Sequence, residues 1–185
     1  MAESDIKTFN HLKIHSQYSI CEGAVKIDDL SDFSKKNKVK SLGLCDTSNL
    51  CGALEFSEKI SKVGTQPIIG TQINFKFGNT LGLIPLFALN EKGYRRIIYL
   101  SSLSYFNKDD LSDPYLDFDE LLKDTSGVAI FSGTIFGLFG KLFEKGKFSE
   151  ISKLYSDLKQ KYSDRFYIEI QRHSDQNEIG FEKFN

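Results

Sequence analysis

Cysteine is scarce in this chain of 185 residues: Cys21, Cys45 and Cys51 are all there are, an odd number with no Cys-x-x-Cys pair. That favours a reduced, cytoplasmic setting over a disulfide framework. An excess of either charge is missing too. The 24 Lys and Arg against 25 Asp and Glu leave a net charge of −1. No basic surface therefore advertises a grip on nucleic acid, and no acidic tail advertises disorder. No apolar run is long enough to span a bilayer, and the polar, acidic opening from Met1 to Lys7 is not a signal peptide. There is no internal repeat, low-complexity run or linker. The glycine-rich stretch 133–146 is no P-loop, because Gly140-Lys141 is followed by Leu142. What is present is ordinary for a soluble globular protein, 40% hydrophobic and 26% charged, with length enough for one domain and a sizeable core.

Strand and helix patterns alternate along the chain. A helix is expected over 28–37, with Asp28 as N-cap and Leu30 and Phe33 inward, then a buried strand from Val39 to Cys45. A helix over 49–63 carries Leu50, Ala53, Leu54, Ile60 and Val63 near helical spacing. Strands over 66–75 and 81–89 flank the turn Gly78-Asn79, and Asn90 can cap a helix running through Tyr94, Ile97, Ile98 and Leu100. Asp117 and Glu120 suggest a capping box for a short helix. Val128–Phe131 reads as a strand, 133–146 as a loop with a short helix, and 148–162 as an amphipathic helix with Phe148, Ile151, Leu154, Tyr155, Leu158 and Tyr162 on one face. A strand over 166–170 and a polar tail close the chain. This alternation argues for βα units in a mostly parallel sheet or barrel, whose sites lie at the carboxyl ends of strands. His15, Asp46 and Gln72 each fall there.

The stretch His11-Leu12-Lys13-Ile14-His15 alternates at period two, which as a strand puts His11, Lys13 and His15 on one face. Paired histidines on a strand can grip a metal, but a protonated lysine between them cannot ligate. His11 and His173 read better as strand-edge or surface residues, and Cys45 and Cys51 as buried thiols, one in a strand and one in a helix. The aromatics read as core rather than as stacking platforms for bases. Lys141, Lys145 and Lys147, offset by Glu144 and Glu150, read as a solvated face.

Six collinear blocks carry a resemblance. They are Phe9 to Ser19 with Glu22 to Ile27, Leu44 to Phe56, Pro67 to Gln72, Asn90 to Arg96 with Leu100-Ser101-Ser102, Ser132-Gly133, and Phe166 to His173. Together they resemble the polymerase-and-histidinol-phosphatase (PHP) domain, in the version at the N-terminus of bacterial DNA polymerase III alpha subunits. Any one block would be weak, but the set covers nearly the whole chain. The resemblance implies an α/β fold, a distorted βα barrel of seven strands, whose active members bind up to three metal ions and hydrolyse phosphoesters. The family's final Asp-x-His would lie beyond Asn185, so a PHP-type barrel truncated before its last strands is expected. Residues 1–185 would then form one PHP domain, the N-terminal fragment of a larger polymerase subunit.

Carried over residue by residue, the ligand set is depleted. The His-x-His falls on Lys13 and His15, and the aspartate before glycine on Glu22. The Asp-His pair falls on Asp46 and Thr47, the glutamate on Gln72, a histidine near Leu83, and a cysteine on Thr134. His15, Glu22 and Asp46 remain as a vestigial metal site. Three ligands can hold one ion, but hydrolysis by this family needs several clustered together. The resemblance thus implies a degenerate, non-catalytic site with no metal cofactor expected. In it Lys13 supplies positive charge internally and should pair with Asp46 or Glu22. The implied partners are the remainder of the polymerase alpha subunit and a proofreading exonuclease subunit, with DNA met through the full polymerase and no membrane. The alternative is a metal-dependent phosphoesterase or 3′-5′ exonuclease using Zn or Mn at His15, Glu22 and Asp46.

Overall fold

The computed structural model of the chain describes residues 9–106, 113–173 and 176–185. In chain order the elements are α1 (Ile27–Asn37), β1 (Ser41–Thr47), α2 (Ala53–Lys62), β2 (Gln66–Phe77), β3 (Thr80–Ala88), α3 (Glu91–Phe106), β4 (Tyr115–Asp117), a 3₁₀ turn (Phe118–Leu122), β5 (Val128–Phe131), α4 (Leu138–Glu144), α5 (Phe148–Tyr162), β6 (Phe166–Tyr167) and α6 (Gln176–Phe184). The strands form one sheet in the order β1-β2-β3-β5-β6, with β4 on the far half of β2. β1 and β2 run parallel, Ser41 to Thr47 facing Gln66 to Gln72 in register. β3 is antiparallel to both of its neighbours, β2 and β5. The reason is local: Gly78-Asn79 folds β2 straight back into β3, and a two-residue hairpin can join antiparallel strands alone. The sheet is mixed α/β and does not close, as expected of an incomplete barrel; among the described residues no ladder joins β6 to β1.

Two apolar faces build most of the core. Ile73, Phe75, Ile84, Leu86 and Ile130 of the sheet meet Ile97 and Leu100 of α3 and the inner face of α5. On α5, Ile151, Leu154, Leu158 and Tyr162 are buried at helical spacing, while Phe148 stays 47% exposed and Tyr155 packs partly. The Tyr162 hydroxyl donates to the Leu121 carbonyl at 2.8 Å, so its burial leaves no polar group orphaned. A second cluster joins Ile27 and Leu30 of α1, Leu42 and Leu44 of β1, and Phe56 and Ile60 of α2. Each of these large side chains contributes roughly 1.5–3 kcal/mol by leaving water.

Several boundaries depart from the sequence reading. The segment 11–15 is not a regular strand. It lies along β1 through Gly43 N–H to His11 O (2.7 Å) and Cys45 N–H to Ile14 O (2.8 Å), so three residues on one side oppose two on the other. That bulge ends the period-two alternation: Leu12 joins the cluster of Cys45, Phe87 and Ala129, and Ile14 the cluster of α1 and α2. The approach requires Gly43, where a Cβ would lie 2.2 Å from the Leu12 carbonyl oxygen.

α1 starts at Ile27, which is fully buried, and this pulls Asp28 into the first turn rather than to the N-cap. α2 starts at Ala53, because the Asn49 amide donates to the Tyr18 and Thr47 carbonyls and accepts from Cys51 N–H, holding a turn there. Cys51 lies in that turn, exposed, not buried in a helix. Asn90 does cap α3, its Oδ1 accepting from Gly93 N–H at 3.0 Å. Asp117 precedes a 3₁₀ turn without a side-chain cap; Glu120 instead pairs with Lys123. Beyond β6 the tail forms α6, held by Phe181 in the core.

Candidate functional site

The sheet carries a cavity of about 370 Å³ beside the middle of β2, where Gln72 pairs with Thr47 at the end of β1. Its wall includes Lys13, His15, Glu22, Gln72, Leu83 and Thr134, six of the positions that the resemblance assigns to ligands, together with Phe136 and Gln171. Thr47 is bonded to two of the six, and Asp46 adjoins it in β1. The eight positions therefore belong to one place. His11 turns away, exposed, its ring 4.9 Å from Phe9 and 6.3 Å from Phe33. His173 pairs with Glu178 at 2.9 Å near α6 and does not line the cavity.

Asp46 ends a strand that points it at the turn 16–22. It is 1% exposed. Its Oδ1 accepts Ser16 N–H and the Ser19 hydroxyl, both at 2.7 Å, and Oδ2 accepts the Ser16 hydroxyl at 2.8 Å. A buried carboxylate must have such donors or lose its charge, and three of them satisfy it without any cation. The turn is locked in turn: Ser19 Oγ accepts Thr47 N–H at 3.1 Å, and Tyr18 donates its hydroxyl to Glu55 Oε2 at 2.9 Å. The Glu55 carboxyl is held below its ordinary value by the hydrogen bond from Lys59 and then by that from Tyr18, while the Tyr18 phenol is pushed up by Glu55. Gly23 lets the turn fold back, since a Cβ there would meet the Ser16 carbonyl oxygen at 2.1 Å.

Around the cavity, the Thr47 hydroxyl donates to Glu22 Oε2 and accepts Gln72 Nε2–H at 2.8 Å. A hydrogen-bond chain thus joins three of the mapped positions. Lys13 does not pair with Asp46 or Glu22. Its Nζ lies 3.1 Å from Glu169 Oε1, with side chains 18% and 12% exposed. The physical reason is that the turn has already satisfied Asp46 and Thr47 engages Glu22, whereas Glu169 pairs with no other cation among the described residues. Glu169 Oε2 and His15 Nδ1 are buried without a hydrogen-bond partner. Below them the Cys45 thiol is pushed up by burial, which outweighs the nearby Lys13. The lysines of 141–147 are committed locally: Lys141 to the Leu81 carbonyl, Lys145 to Thr80, and Lys147 to Glu150.

A divalent ion at this place would have to compete with these contacts. Both Asp46 oxygens face donors, Glu22 accepts from Thr47, and an ammonium stands on the wall. Among the described residues no three His, Cys, Asp or Glu side chains are grouped as metal ligands. The sequence reading missed Glu169, Ser16 and Ser19. The serines had a signal, since a buried carboxylate needs donors and the adjoining turn offers two hydroxyls three residues apart.

The PHP domain family matches residues 11–173. The chain is 34% identical over 181 residues to the DNA polymerase III subunit alpha of Caulobacter vibrioides, covering 94% of this chain and 16% of that protein. It is 34% identical over 176 residues to the same subunit of Borreliella burgdorferi, covering 89% and 15%, and 33% identical over 174 residues to that of Haemophilus influenzae, covering 92% and 15%. Among solved structures, one assigned as a metal-dependent phosphoesterase from Bifidobacterium adolescentis superposes with a TM-score of 0.57 at 9% identity, over 95% of this chain and 82% of that one. That likeness is one of fold. The chain belongs to the PHP domain family, and it is homologous to DNA polymerase III alpha subunits. It spans about 16% of the length of the first of these curated relatives.

Proposed function

We propose that this chain is the N-terminal PHP domain of a bacterial replicative DNA polymerase III alpha subunit, its metal site degenerate and non-catalytic. On this reading residues 1–185 are one domain that serves as a structural and docking module. Its partners are the rest of the alpha subunit and a separate proofreading exonuclease subunit, and it meets DNA through the full polymerase in the cytoplasm. The observation that carries the reading is the Asp46 carboxylate, satisfied by Ser16 and Ser19 at 2.7–2.8 Å where a catalytic ligand would need free lone pairs. Hydrolysis in this family needs adjacent ions to polarise the phosphate and generate hydroxide, and this donor set supports none. No described helix is long and apolar enough to cross a membrane.

Two assays test the reading. With Mn²⁺ or Zn²⁺ added, the chain should not hydrolyse bis(p-nitrophenyl) phosphate above background, and it should co-elute with a polymerase III proofreading exonuclease subunit. Metal-dependent turnover abolished by His15→Ala would overturn the first part, and failure to co-elute the second. The alternative, a Zn- or Mn-dependent phosphoesterase or 3′-5′ exonuclease, draws on one observation: His15 lines a 370 Å³ cavity with Nδ1 lacking a partner.

A further inference from the structure

The open side of the sheet leaves two edge segments, each fastened to its own neighbour. Residues 11–14 hang on β1 through the amides of Gly43 and Cys45. Residues 167–169 hang on the end of β5, where Ser132 N–H donates to the Tyr167 carbonyl and Glu169 N–H to Ser132 Oγ, both at 2.9 Å. No backbone ladder connects the two segments. Among the described residues, Lys13 to Glu169 is the one hydrogen bond or ion pair that joins residues 9–26 to residues 163–173.

We propose that Lys13 and Glu169 form a latch across the open side of the sheet, the ammonium on the first segment holding the carboxylate that follows β6. An exposed ion pair would do little, because water screens it and two long side chains lose their freedom. Here the side chains are 18% and 12% exposed, and Glu169 already carries one buried oxygen without a partner. Removing the lysine leaves the mostly buried carboxylate with only a long contact from Gln171, and the cheapest response is for the segment carrying it to move outward. Ser132 positions the latch by fixing the Glu169 backbone, and Gln171 supports it weakly, its Nε2 at 3.4 Å from the same Oε1. Because Lys13, His15 and Gln171 all line the cavity, movement at the latch also changes the cavity wall. This inference concerns only the internal pair and stands whether or not the chain hydrolyses phosphoesters or docks an exonuclease.

Amide hydrogen exchange of the full 185-residue chain tests it. In Lys13→Met, the amides of Gly43, Cys45, Ser132 and Glu169 should all exchange at least about tenfold faster, while those buried in the middle of α5 stay as in the native protein. The swapped pair Lys13→Glu/Glu169→Lys should bring both edges back to within about threefold of native protection, and neither single reversal should. Unchanged exchange at either edge in Lys13→Met would overturn the latch. So would a swap no better protected than the worse single variant. If the single variants do not fold, a swap that folds supports the latch, and a swap that also fails to fold overturns it.

Discussion

Asp46 and Glu169 both lie near the buried Cys45 thiol, and each stabilises its negative charge differently. Asp46 is ringed by neutral donors from a turn only 27–30 residues away in sequence. Glu169 relies on one cation 156 residues away, with its second oxygen unpartnered. Hydrogen bonds to a carboxylate are strong and local, so the first arrangement forms with the turn itself. The second forms only after the sheet has brought its two edges together. The difference teaches that a buried carboxylate can be held in two ways, one by surrounding neutral donors, the other by a single distant cation.

The largest expected effect breaks the ring. Asp46→Ala leaves Ser16 N–H and two serine hydroxyls buried without an acceptor, each costing about 1–3 kcal/mol if unrelieved. A loss of about 3–5 kcal/mol should appear as a lower urea midpoint, and Asp46→Asn, which keeps one carbonyl acceptor, should lose clearly less. Lys13→Ala comes next. Breaking a fully buried pair costs about 3–5 kcal/mol, and the partial exposure here reduces that to about 1–3. The double variant Lys13→Ala/Glu169→Ala should cost less than the sum of the singles, while Asp46→Ala and Lys13→Ala should add.

Gln72→Glu sharpens the contrast at lower magnitude. It places a second carboxylate beside Glu22 and removes the donor to Thr47, for a loss of about 1 kcal/mol in denaturant titration. A loss that Mn²⁺ reverses would favour the phosphoesterase reading.

The smallest effect lies outside the ring, at Glu55, which holds Tyr18. Its carboxyl titrates below its ordinary 4.5 in the folded state, through Lys59 first and Tyr18 second. A group lowered by folding stabilises above its unfolded value, and the contribution is lost as pH falls through the folded value. Stability measured from about pH 6 down to about pH 3 should therefore fall slightly less steeply in Glu55→Gln than in the native chain.

How the fold and site could be read in the sequence follows the same local-versus-distant line. Elements with strong periodicity, such as 148–162, or an unambiguous cap, such as Asn90, were legible with nearly correct bounds. The positions 13, 15, 22, 72, 83 and 134 were legible as one site through the resemblance of the six blocks, and the structure brings them to one cavity. The bulge that sends Leu12 and Ile14 to different clusters was not legible, since it depends on how closely Gly43 allows two backbones to approach. The partner of Lys13 was not legible either. Charge alone pointed to Asp46 or Glu22, and only the packed sheet shows both engaged while Glu169 arrives from the far edge.

The claim on which the rest depends is that Asp46 and Glu22 are engaged by hydrogen-bond donors in place of a metal ion. A ligand that binds the folded chain alone raises its stability in proportion to the logarithm of its concentration. The most direct measurement is the unfolding midpoint of the chain, treated with chelator and then titrated with Mn²⁺ or Zn²⁺. A midpoint that neither chelator nor metal moves is the predicted result. A midpoint that falls with chelator and climbs with added metal, and does so only while His15 and Asp46 are intact, would contradict it.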